Sequence, residues 1–159
     1  MFLGIILVGL AVAWVVGAGG AQTAIAGSPA PEFTVDLFDG SRFDLAERLS
    51  EDDRPLILNV WASWCPPCRE EIPALSAFAD AHPEYSVLGV AVEEPREDSI
   101  AFANELSPSY PLGWGDDEFR KSYQTFGLPV TYMIDADGKV TEVFNGGVTL
   151  DKLETLTAG

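Results

Sequence analysis

The stretch NVWASWCPPCREEIP, residues 59–73, holds Cys65 and Cys68, the two cysteines of the chain. It begins inside a continuous apolar run, residues 55–62, whose length and composition predict a buried strand. After the second cysteine, apolar side chains recur at the spacing of a helix. The cysteines are therefore expected where a buried strand passes into a helix, the edge at which open α/β sheets place their functional sites.

The rest of the chain continues this α/β pattern. Asp39-Gly40 and Asp137-Gly138 each stand between two short alternating runs, which predicts a hairpin at each place. A second buried strand is predicted at residues 85–92, and helices are predicted at residues 97–106, 116–126 and 149–158. This order predicts a three-layer α/β domain with a mixed central sheet and an N-terminal β-hairpin.

The first 31 residues carry no charged side chain. A helix of about 20 apolar residues spans a hydrocarbon core of roughly 30 Å, so residues 1–21 predict a transmembrane anchor. A signal peptide is the alternative, because Ala24-Ile25-Ala26 offers small residues for cleavage. Residues 22–31 are expected to be a linker and residues 32–159 the folded domain. Both alternatives place that domain outside the cytoplasm, where disulfides persist.

The charge balance limits the classes of partner. Acidic residues number 25 and lysine plus arginine 9, which gives a formal charge of −16. Nucleic-acid binding needs a basic surface, so this class is excluded. The acidity predicts a well-solvated protein surface.

Several uses of a Cys-x-x-Cys pair fit this chain poorly. A zinc site usually needs four ligands, but the chain has one histidine, His82, and it lies about four helical turns from the cysteines. Haem attachment needs a histidine directly after the pair, where Arg69 stands. A purely structural disulfide across so short a loop would stabilise little. We expect no cofactor, and a copper(I) metallochaperone remains an alternative, although Met133 is the only methionine of the predicted domain.

Redox chemistry explains more of the motif. A cysteine at a helix N-terminus is stabilised as a thiolate by unpaired N–H groups and the helix dipole, which makes Cys65 the expected nucleophile. Cys68 follows one turn later on the same face and can resolve a mixed disulfide. Pro66 and Pro67 suit the first helical turn, and Trp64 would cover one side of the pair. Because no lysine or histidine separates the cysteines, we expect a moderate lowering of the thiol pKa and a reductant or isomerase.

Two stretches carry a family resemblance: residues 59–73 and FGLPVTYMIDADGKV, residues 126–140. Together they resemble thioredoxin-fold proteins, and more narrowly the TlpA/ResA-like group of membrane-anchored thiol–disulfide oxidoreductases. The resemblance runs from about Pro31 to the C-terminus. It implies a periplasmic or extracellular enzyme that reduces disulfides of partner proteins, such as apocytochrome c in cytochrome c maturation. A membrane electron-donor protein would reduce the enzyme again after each cycle.

The resemblance also assigns roles outside the cysteines. Pro73, five residues after Cys68, matches the family's proline in the active-site helix. Pro129 matches its cis-proline, which would leave the Leu128 backbone free to pair with an extended substrate segment. Leu128 and Pro129, together with Trp64, are the expected substrate-binding surface.

The chain departs from thioredoxins proper at one position. Their buried aspartate before the active site is replaced here by Asn59, which cannot shuttle a proton. The TlpA/ResA-like group can use a glutamate after the next strand, so Glu94 or Glu93 is the expected proton acceptor for Cys68. A peroxidase of the peroxiredoxin type is a further alternative, disfavoured because the pattern Pro-x-x-x-Thr-x-x-Cys is absent.

Overall fold

The structure is a computed structural model that describes residues 23–123 and 127–158. The predicted anchor, residues 1–21, lies outside these ranges. Within them, no helix is long and apolar enough to cross a membrane.

Seven strands form one mixed sheet in the order β2-β1-β5-β4-β3-β6-β7. The strands are β1 (Thr34–Leu37), β2 (Arg42–Asp44), β3 (Leu56–Trp61), β4 (Ser86–Ala91), β5 (Leu112–Trp114), β6 (Val130–Ile134) and β7 (Val140–Asn145). The helices are α1 (Leu45–Glu51), α2 (Pro66–Ala81), α3 (Arg96–Leu106), α4 (Asp117–Tyr123) and α5 (Leu150–Thr157).

Strand β3 holds an inner position, and all six of its residues are buried. It runs parallel to β4 and antiparallel to β6, which confirms the predicted mixed sheet with a buried strand before the cysteines. Successive side chains of a strand point to opposite faces. Ile57, Asn59 and Trp61 therefore share one face of the sheet.

The helices cover both faces of the sheet, as the predicted three layers require. One apolar cluster joins β3 to α2, α3 and α5 and contains both cysteines, with Phe78, Phe102 and Leu153 as representative members. The other cluster lies on the opposite face, where Leu45 of α1 and Phe119 of α4 pack. The active-site helix α2 therefore rests on the face that carries Asn59.

Both predicted hairpins are present, as β1–β2 and β6–β7. Two short elements were not predicted, α1 and β5. Helix α1 has seven residues and is capped by the Asp44 carboxylate, which accepts from the Glu47 N–H at 3.0 Å. Strand β5 has three residues, too few for an alternating pattern to be recognised.

Residues that precede Glu32, the expected start of the folded domain, already pack against the domain. The Ala24 N–H donates to the Ser122 carbonyl oxygen at 2.8 Å, and Ala24 is buried. Pro29 pairs with Lys139 in an isolated bridge. The segment after residue 22 thus packs along the domain surface.

Candidate active site

The N-terminus of α2 positions the two sulfurs. Cys65 is the N-cap of α2, and Pro66 and Pro67 occupy its first turn, as predicted from the sequence. Cys65 and Cys68 are joined by a disulfide, and the Cys68 N–H lies 3.3 Å from Cys65 Sγ. The helix N-terminus therefore directs an N–H donor at the sulfur that would carry a thiolate. Pro73 lies inside the same helix.

The surface at the disulfide is apolar and uneven in exposure. Both cysteines are buried in the disulfide form, Cys65 at 3% exposed and Cys68 at 0%. Trp64, directly before the pair, is 57% exposed. Its indole N–H lies 3.4 Å from the Glu93 carbonyl oxygen, which tethers the ring to the loop after β4.

The loop before β6 also reaches this region. The Leu128–Pro129 peptide bond is cis, which confirms the bond geometry expected from the resemblance. Leu128 is half-buried and packs against the apolar cluster that contains both cysteines. The Pro129 carbonyl oxygen accepts from the Gly146 N–H at 2.9 Å, so this loop is fixed against the chain after β7.

A buried carboxyl group, Glu71, lies three residues after Cys68 on α2. Glu71 is 1% exposed. It accepts hydrogen bonds from Asn59 Nδ2 at 2.8 Å and from the Val148 N–H at 3.1 Å. Burial raises the pKa of Glu71 from 4.5 to about 7, and the two hydrogen bonds oppose that rise.

Sequence reasoning missed Glu71 because it sought a carboxylate in β3 or after β4. The sequence of the helix nevertheless indicated that Glu71 is buried. Residues three apart on a helix share a face, so Glu71 stands on the buried stripe that begins at Cys68. A glutamate on such a stripe is unusual, because charged side chains are seldom fully buried. Asn59 then has a function of its own, since its amide holds the Glu71 carboxyl group in place.

The two predicted proton acceptors occupy different environments. Glu94 is half-buried and accepts from the Ser63 N–H at 2.9 Å, from the Ser63 hydroxyl, and from the Ser99 hydroxyl at 2.7 Å. Ser63 stands two residues before Cys65, so its hydrogen bonds to Glu94 fix the backbone just before the active-site turn. Glu93 is exposed and forms an ion pair with Arg120 at 3.1 Å. Their role in proton transfer stays a prediction.

No group of three or more His, Cys, Asp or Glu side chains is placed to hold a metal ion within residues 23–123 and 127–158. The site consists of a disulfide at the N-terminus of α2, a buried acid on the same helix face and the exposed Trp64 beside the pair. Such a pair can exchange two electrons with another cysteine pair, because one of the two pairs passes from dithiol to disulfide while the other passes from disulfide to dithiol.

Comparison with known proteins identifies the family. The AhpC/TSA family model matches residues 26–143. The chain belongs to the AhpC/TSA family. This AhpC/TSA member is 30% identical over 133 residues to the thiol-disulfide oxidoreductase ResA of Bacillus thuringiensis, a match covering 80% of this chain and 74% of the relative.

Two further relatives of this AhpC/TSA member agree with that match. The thiol:disulfide interchange protein DsbE of Escherichia coli K12 is 32% identical over 120 residues, which cover 74% of this chain and 63% of the relative. A crystal structure of a thiol:disulfide interchange protein from Chlorobium tepidum, of the thioredoxin family, superposes with a TM-score of 0.73 at 27% identity and covers 82% of this chain and 94% of that chain. The resemblance to the TlpA/ResA-like group is confirmed. The chain is a thiol–disulfide oxidoreductase with a thioredoxin-like fold.

Proposed function

We propose that the protein is an extracytoplasmic reductant of partner disulfides, with Cys65 as nucleophile and Cys68 as resolving thiol. The observation that carries the proposal is the difference between the two sulfurs. Cys65 is the N-cap of α2 and its Sγ accepts from the Cys68 N–H, whereas Cys68 is fully buried one turn further on, on the same helix face as an acid.

The reaction follows from this order. In the reduced protein the Cys65 thiolate attacks the partner disulfide, forms a mixed disulfide and releases one partner thiol. Cys68 then loses its proton and attacks Cys65 Sγ, which forms the Cys65–Cys68 disulfide and releases the second partner thiol. Two electrons pass from the dithiol to the partner. A membrane-bound dithiol protein, as electron donor, restores the dithiol.

Glu71 is the group best placed to accept the Cys68 proton. A general base works best when its pKa lies near the working pH, and burial brings the pKa of Glu71 to about 7. Glu94 and, less directly, Glu93 are the alternatives, and they reach the site from the loop after β4. The exposed ion pair of Glu93 with Arg120 makes Glu93 the weakest of the three.

The exposed side chain of Trp64, together with Leu128 and Pro129, would form the substrate-binding surface. An extended segment of the partner could lie along the cis-proline loop and pair with its backbone. The relatives named ResA and DsbE, a thiol-disulfide oxidoreductase and a thiol:disulfide interchange protein, support a partner with a disulfide to be opened. Apocytochrome c, in cytochrome c maturation, is the partner that we propose.

The location proposed for the domain, residues 32–159, is the periplasm or the cell exterior. Residues 1–21 would anchor it to the membrane, and residues 22–31 would connect the two parts; secretion after signal cleavage is the alternative. The uncharged first 31 residues support this placement.

The decisive experiment is a trap of the mixed disulfide. We expect Cys68→Ser to hold partner proteins on Cys65 through a reducible bond, because no second thiol can release them. The matched variant Cys65→Ser should hold none. Mass spectrometry of the trapped species identifies the partners, and equal trapping by both variants would contradict the assigned order.

A second experiment separates the candidate bases. The rate of reduction of a disulfide peptide is measured against pH for Glu71→Gln and Glu94→Gln. We expect Glu71→Gln to remove the pH dependence near 7 and Glu94→Gln to retain it. The reverse result would assign proton transfer to Glu94.

A further inference from the structure

Three buried polar atoms near Glu71 have no hydrogen-bond partner among the described residues. They are the indole nitrogen Nε1 of Trp61, the phenol oxygen of Tyr110 and the amide oxygen Oδ1 of Asn59. Trp61 and Asn59 are fully buried, and Tyr110 is nearly so. Leaving a buried polar group unpaired costs about 1–3 kcal/mol, so three such atoms in one apolar layer need an explanation.

The residues that carry the three atoms are neighbours at one place on the sheet. Asn59 and Trp61 stand two residues apart on β3 and face α2. Gly89 of β4 is the in-register partner of Asn59. A Cβ placed on Gly89 would lie 2.4 Å from Leu112 Cδ2, 3.1 Å from Trp61 Nε1 and 3.2 Å from a ring carbon of Tyr110, so both rings pack over the Gly89 backbone beside Leu112.

Glu71 faces the same place from α2. Its carboxyl group accepts from Asn59 Nδ2, whose partner oxygen Oδ1 is one of the three unpaired atoms. Burial raises the pKa of Tyr110, and the negative charge of Glu71 raises it further, so the phenol keeps its proton and remains a donor. The Val148 N–H also donates to Glu71, and Asn59 Nδ2 also donates to Thr131 Oγ1; neither Val148 nor Thr131 carries a group that titrates.

We propose that Tyr110 and Trp61 hold one buried water molecule against Asn59 and Glu71, which makes Tyr110 a positioning residue for the Glu71 carboxyl group. The water accepts from the Trp61 N–H and the Tyr110 O–H, and it donates to Asn59 Oδ1 and to Glu71. Buried waters make about three such bonds on average, and here two donors and two acceptors complete the set. The bond to Glu71 favours its charged form and orients it for Cys68; this consequence rests on the proposed function of Glu71.

A first test uses the unaltered full-length protein in its disulfide form. We expect the Trp61 indole proton to show magnetic cross-relaxation with a long-lived water in NMR spectra. The Trp114 indole, which donates to the Glu94 carbonyl oxygen at 3.0 Å, is the internal control and should show none. Absence of the signal at Trp61 would overturn the proposal without any variant having to fold.

A second test titrates Glu71 directly. The carbon-13 signal of its carboxyl group, assigned with Glu71→Gln, is followed against pH in the oxidised protein. We expect Tyr110→Phe to raise the midpoint by about one pH unit, because the water loses a donor that holds it and its own bond to the carboxylate is lost with it. Tyr85→Phe is the matched control, since the Tyr85 hydroxyl lies 3.3 Å from the Thr157 carbonyl oxygen, at another part of the fold. An unchanged midpoint in Tyr110→Phe would overturn the proposal.

Both tests are independent of turnover. If Glu71→Gln leaves the pH–rate profile unchanged, the proposed proton transfer fails while the bound water still stands. If Tyr110→Phe leaves the Glu71 midpoint unchanged while Glu71→Gln alters the pH–rate profile, the positioning role fails and the proton transfer stands.

Discussion

At the scale of single residues, the least expected feature is an ionisable group in the layer between α2 and the sheet. Glu71 keeps hydrogen bonds to Asn59 and Val148, yet burial still dominates its pKa. The cysteines could be assigned from the sequence because their spacing leaves few other uses. Glu71 could not, because a glutamate in a helix is ordinarily solvated, and its burial depends on which helix face meets the sheet.

A prediction on stability follows from the raised pKa. The folded protein holds the Glu71 proton up to about pH 7, whereas an unfolded glutamate releases it near 4.5. The contribution of neutral Glu71 to the free energy of unfolding is therefore fully present below pH 4.5 and is lost as the pH rises through 7. We expect the unfolding free energy of Glu71→Gln, relative to the wild type, to rise by about 3 kcal/mol between pH 4 and pH 8.

The measurement is urea unfolding of the oxidised protein at several pH values. Glu70→Gln, at an exposed position of the same helix, is the control and should follow the wild type. If the free energies of unfolding of Glu71→Gln and the wild type changed in parallel with pH, Glu71 would titrate as an ordinary glutamate.

At the scale of elements, the site depends on how closely β4 and β5 pack under α2 and α3. The long elements were predictable, because a continuous apolar run and a helical repeat are strong signals over six residues or more. Helix α1 and strand β5 were not, since a seven-residue helix depends on its cap and its packing, and β5 depends on pairing with β1 and β4. Tertiary contacts decide such short elements.

Gly89 of β4 offers a test of this packing. A Cβ there would lie 2.4 Å from Leu112 Cδ2, on a buried side chain of β5. We expect Gly89→Ala to lower the unfolding free energy by about 1–3 kcal/mol through overpacking. Gly147→Ala is the control: the nearest atoms would be 3.6 and 3.8 Å away, both on Pro67, so a change within about 0.5 kcal/mol is expected. Urea unfolding measures both, and equal effects would contradict the close packing.

At the scale of the whole molecule, charge is the dominant property. A formal charge of −16 disfavours the folded chain through self-repulsion, which salt screens. The sequence predicts this charge completely, because it requires only counting. It does not show where the exposed acids lie, which depends on the fold.

We expect the thermal midpoint of the protein to rise when sodium chloride is increased from about 10 mM to about 500 mM, over which the screening length falls several-fold. The control changes three exposed acids, Asp53, Glu142 and Glu154, to lysine and thereby lowers the net negative charge. Its midpoint should rise less with salt. A wild-type midpoint that is independent of salt, or falls, would show that ion pairs outweigh the repulsion.

The central claim is that Cys65 is the reactive thiolate and Cys68 the protected thiol behind it. The most direct measurement is the rate of alkylation of each cysteine in the reduced protein as a function of pH, read by peptide mass spectrometry. We predict that Cys65 reacts first, with a pKa below the ordinary thiol value of about 8.5, and that Cys68 reacts only slowly. Faster alkylation of Cys68, or a Cys65 titration at the ordinary value, would contradict the account.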